Sequence, residues 1–137
     1  MRQVNPALRL GFMTQHQGWS TYNGMDFEAW FGALGAVKGR PGEGFYFDTV
    51  PDDVLNKALS TSRQACEYPD TVNDVQYELE NFPYHNWQKS DRIVLAEMGM
   101  TFAQGMNGVL LNNCHMQLGF DGQGPLYDAM RAVKSNW

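Results

Sequence analysis

Residues 71–83 read TVNDVQYELENFP. Thr71 followed by Asn73 and Asp74 has the character of a capping-box variant, and Pro83 supplies a stop. Between them Val72, Val75, Leu79 and Phe82 recur at spacings of three, four and three, the stripe of an amphipathic helix. The spacing predicts a helix over 72–82 with Asp74 and Glu78, one turn apart, on its outer side.

The same stretch sits inside the most charged part of the chain. Residues 66–87, CEYPDTVNDVQYELENFPYHNW, hold Glu67, Asp70, Asp74, Glu78 and Glu80 and neither Lys nor Arg. Residues 1–63 carry six basic and six acidic side chains, and residues 89–137 four of each, so the net charge of -5 belongs to this segment. First-turn acids that complement a helix dipole account for two or three of the five. The rest form a candidate docking face, able to line up carboxylates as a nucleic acid lines up phosphates.

Working outward, ALRLGFMT at 7–14 alternates Leu8, Leu10 and Phe12 with other residues and suits a half-buried strand. DFEAWFGALGAV at 26–37 puts Phe27, Trp30, Phe31 and Leu34 on one helical face. GFYFDT at 44–49 is short and aromatic, again strand-like. Thr49, Pro51, Asp52 and Asp53 open a helix running to Cys66. Ser90 caps a longer one whose face is Leu95, Met98, Phe102, Met106, Val109 and Leu110, ending near Asn112; the alternative for its end is a hairpin turning at Asn112-Asn113. A last helix over 125–136 buries Leu126, Met130 and Val133. The expectation is a single compact domain over 1–137, α+β and mostly helical, with four or five helices and a small strand element near the N-terminus.

Composition sets limits. The chain has 137 residues, 43% of them apolar and 18% charged, enough for one core. No apolar run approaches the ~20 residues of a membrane span. The first residues, MRQVNPALRLGFM, lack a continuous apolar stretch, so no signal peptide is read and the expected location is cytoplasmic or inside a particle assembled in the cell. Ten scattered Lys and Arg against fifteen acids argue against direct nucleic-acid binding. Cys66 and Cys114 are read as reduced thiols.

No constellation carries catalysis or a cofactor by itself. His16, His85 and His115 are far apart, and Cys114-His115 lacks the spacing that brings two ligands to one metal. GRPGEG is not a phosphate loop. What remains is contact chemistry: Trp19 and Tyr22 in one polar turn, Tyr84 and Trp87 in another, Met98 and Met106 on the most apolar helix, and Trp137. The preferred function is a non-enzymatic interaction or assembly protein, binding a protein partner or itself, as in a virus-type particle. Two alternatives stand beside it: an acidic inhibitor occupying the basic groove of a nucleic-acid-processing enzyme, and a small enzyme or ligand-binding domain with an aromatic pocket near His16, Trp19, Tyr22 and His85.

Overall fold

The structure, a computed structural model, describes residues 4–15, 17–44, 49–50, 52–80, 89–112 and 124–136. Strands and helices alternate: β1 (Gly11–Thr14), α1 (Gln17–Tyr22), α2 (Phe27–Leu34), β2 (Lys38–Pro41), α3 (Asp52–Cys66), β3 (Asp74–Glu80), α4 (Asp91–Ala103), β4 (Gly108–Asn112) and α5 (Gly124–Val133), closed by a 3-10 turn at Lys134–Asn136. The strands form one sheet in the order β1-β2-β3-β4, every pair parallel. This is an α/β fold, and it corrects the expectation of a mostly helical α+β domain with its strands near the N-terminus.

The correction turns on residues 74–80. Asp74-Val75-Gln76-Tyr77-Glu78-Leu79-Glu80 alternates polar and apolar without a break, and the chain follows that period of two. Val75, Tyr77 and Leu79 all face the helices, with Tyr77 and Leu79 fully buried. A helix would have placed Tyr77 on the opposite side from Val75 and Leu79. The long helix expected from Ser90 to Asn112 is also divided. It ends at Ala103, where Gly105 takes a left-handed conformation (φ 82°), and residues 108–112 leave it as β4, parallel to β3 rather than turning back as a hairpin. Helices are found close to expectation at α2, α3 and α5. The strand expected around 44–49 falls largely outside the described residues.

Capping explains the sharp helix starts. Asp26 accepts the Ala29 amide at 2.9 Å ahead of α2, Ser90 accepts the Ile93 amide ahead of α4, and Asp52 and Asp53 occupy the first turn of α3.

Register assigns each strand residue to a face. Phe12, Thr14, Gly39, Pro41, Val75, Tyr77, Leu79, Val109 and Leu111 point one way; Gly11, Met13, Lys38, Arg40, Asp74, Gln76, Glu78, Glu80, Gly108, Leu110 and Asn112 point the other. Helices α2 to α5 all pack on the first face. Phe27, Phe31 and Ala36 close over Phe12 and Tyr68, with Phe31 edge-on to Phe12 at 5.6 Å, while Val94, Met98, Met106 and Leu126 close over Tyr77 and Leu79. Sequential strand order with every crossover on one side makes the sheet singly wound. Among the described residues the second face is bare.

Candidate functional site

A bare face is unusual for a parallel sheet, which normally buries both. Here its centre is a ladder of charge. Lys38 Nζ lies 2.7 Å from Asp74 Oδ2, and Arg40 Nη2 donates to Glu78 Oε1 at 2.6 Å. Arg40 Nη2 also touches the Met13 sulfur. A groove of about 460 Å³ crosses the face between Met13, Arg40, Gln76 and Leu110.

The two pairs differ in their environment. Asp74 is held below the ordinary carboxylate range by hydrogen bonds from Lys38 and Gln76. Glu78 is pushed above it, because burial outweighs the Arg40 guanidinium and Glu80 adds repulsion. The burial comes from Gly42. A methyl group on that residue would collide with Glu78 Oε2, so the glycine is what lets the carboxyl lie against the chain leaving β2. Gln64 fixes that chain: its amide donates to the Gly42 carbonyl at 3.0 Å and accepts the Gly42 N–H at 3.3 Å. Gln64 also accepts the Thr14 hydroxyl at 2.8 Å, which ties the ends of β1 and β2 to α3. Arg40 Nε is buried with no acceptor among the described residues.

Glu80 stands on the same face, two residues beyond Glu78 and at the carboxyl end of β3. In parallel α/β sheets that end is where ligands bind, because the loops leaving it are free of packing duties. Glu78, Glu80, Arg40 and Asn112 all lie there.

Below the same end lies a buried ion cluster on the helical face. Glu97 Oε1 is 3.0 Å from Lys57 Nζ, and its Oε2 is 2.6 Å from Lys89 Nζ. Tyr77 donates its hydroxyl to Glu97 Oε1 at 2.7 Å, and Lys57 Nζ sits 4.8 Å over the Tyr77 ring. Lys89 also donates to the Glu80 carbonyl at 2.7 Å. Burial pushes Lys89 down to about 8 and raises Tyr77 far above its usual value. The cluster anchors the strand that carries both glutamates.

The residues singled out from sequence scatter. Asp74, Glu78 and Glu80 share the bare face, with two of the three in ion pairs, whereas Glu67 and Asp70 are exposed in the turn before β3. The five acids are therefore no single outward helix face. Met98 and Met106 are buried in the core. Trp19 and Tyr22 are 68% and 88% exposed on α1. Cys66 is exposed at the end of α3. Tyr84, Trp87, Trp137, His16, His85, His115 and Cys114 lie outside the described residues, and with them most of the expected aromatic pocket and the Cys66–Cys114 question.

Sequence reasoning missed Arg40 as a site residue and assigned Glu78 and Glu80 to partner binding alone. The signal that finds them is the alternation of 74–80, which places both carboxylates on one face of a strand. Among the described residues no group of His, Cys, Asp and Glu is placed to hold a metal, and no helix is long and apolar enough to cross a membrane. Compared with known protein families, curated proteins and solved structures, the chain matches none.

Proposed function

We propose that the chain is a catalytic domain using general acid–base chemistry on a polar substrate bound at the carboxyl end of the bare sheet face. What supports this reading is one carboxyl, Glu78, shifted above its ordinary range by burial, with a second, Glu80, beside it on the strand end. A carboxyl whose surroundings favour its protonated form suits the role of acid. Glu78 gives its proton to the leaving oxygen as that bond breaks. Glu80 takes a proton from the attacking water, whose oxygen forms the new bond. Arg40 carries the charge that develops between them.

The test is turnover of p-nitrophenyl glycosides, esters and phosphates by the full chain and by Glu78→Gln. The expected result is release of nitrophenol from one class, lost in the variant, with a rate that falls as pH rises through the Glu78 pKa. No turnover on any class, or turnover that the variant retains, overturns the reading.

A second reading is protein docking, and one observation favours it. Tyr22 and Leu59 line a crevice of about 1150 Å³ between α1 and α3 and are 88% and 66% exposed, and Trp19 and Leu55 are exposed on the same two helices. Large exposed aromatic and apolar groups of this kind anchor partners. Tyr22→Ala with Leu59→Ala is expected to abolish capture of a protein partner while leaving nitrophenol release intact; unchanged capture removes the docking reading.

A further inference from the structure

We infer that two copies of this chain close edge to edge into one eight-stranded (β/α) barrel, with the bare face as its interior. A sheet whose parallel strands run in sequential order, with α2 to α5 all on one side, has the winding of such a barrel wall. Four strands are half the number whose closed interior side chains can just fill.

The edges have the required form. Among the described residues β1 pairs only with β2, and β4 only with β3, so there each presents an unpaired row of backbone groups. A two-fold axis parallel to the strands brings β1 of one copy beside β4 of the other, and β4 beside β1, with all eight strands still parallel. Both seams are then the same contact, as two-fold symmetry demands.

The side chains of the bare face suit enclosure. At its centre each cation already lies against a carboxyl, Lys38 against Asp74 and Arg40 against Glu78, so closing it leaves neither cation without a partner. Glu80 is the remaining carboxylate, and it lies at the rim. The large apolar side chains left exposed on the sheet are Met13 at 47% and Leu110 at 43%. One is on β1 and the other on β4, so each seam would cover one of each. Apolar groups at the edges and paired ions between them is the distribution expected of a wall that meets its own copy.

The experiment is light scattering on the full chain over a wide concentration range, with Leu110→Asp, Met13→Asp and the control Leu34→Asp on α2. The expected mass is twice the 15.5 kDa of one chain. An aspartate at either seam is expected to weaken the dimer about tenfold or more, with the far-ultraviolet circular dichroism unchanged, and the control to leave it intact. A second readout needs no variant: hydrogen exchange at the β1 and β4 edge amides slows as concentration rises. A monomeric mass throughout, or edge exchange indifferent to concentration, overturns the inference. The inference does not depend on the acid–base role of Glu78. A dimer without turnover removes that role and keeps the barrel, and a monomer with turnover does the reverse.

Discussion

The Tyr77 hydroxyl and the Glu97 carboxylate meet at 2.7 Å in a core where both residues are about 1% exposed. The contact ties β3 to α4, and it works because Lys57 and Lys89 bring two positive charges to the same carboxylate. Removing the carboxylate leaves two buried ammonium groups without a counter-charge. Glu97→Gln is therefore expected to destabilise the fold by about 3–5 kcal/mol. Urea unfolding followed by circular dichroism measures it, and a loss under about 1 kcal/mol would show the ions relaxing to solvent.

Lys89 gives the cluster a pH signature. Its folded value is about 8 against 10.5 for the free side chain, so between those values the unfolded chain binds the extra proton. Stability must then rise as pH increases from about 8 toward 10, and below about 8, where both states hold the proton, this contribution levels off. Above 10 the trend reverses, because Tyr77 and Tyr68 are both held protonated in the fold beyond their ordinary value of 10.0. Unfolding free energies at pH 8 and pH 10 are expected to differ in that direction, and Lys89→Met to remove the difference.

Gly42→Ala tests how Glu78 is held. The added methyl displaces the carboxyl from its seat, exposes it to water, and lets its pKa drop toward the ordinary glutamate range. Carbon NMR titration of the Glu78 carboxyl reads this directly. An unmoved titration in the variant would mean that the burial has another source.

Phe31 is the fully buried centre of the smaller core, edge-on to Phe12 and Phe27 and tilted against Tyr68. Phe31→Ala is expected to cost about 3–5 kcal/mol, the cavity having aromatic walls on several sides and little freedom to collapse. Thermal and urea unfolding check the loss.

Residues 71–83 carry two periodicities at once. Val72, Val75, Leu79 and Phe82 satisfy a helix, and Val75, Tyr77 and Leu79 satisfy a strand. Tyr77 distinguishes them, because it is apolar in bulk and buried at a position the helix would have turned outward. Where only one period fits, as at α2 and α3, sequence and structure agree. β4 was hidden for a related reason: Val109 and Leu110 extend the apolar face of α4 in register, and only Gly105 marks the break. The site was less legible still. Arg40 and Glu78 are 38 positions apart in the chain, and their pairing follows from a strand alignment that local patterns do not encode. The counter-charges of the acidic segment, Lys38 and Arg40, likewise sit in a stretch whose own charge balances.

Sequential strand order also bears on how the chain is made. Each strand aligns with the one before it, Gly11 with Lys38, Lys38 with Asp74 and Gln76 with Gly108, so every pairing closes a loop of roughly thirty residues. No strand has to wait for one synthesised much later. A polypeptide emerging from its amino end can add each strand, with the helix that covers it, to an edge already in place, so the sheet is suited to vectorial growth.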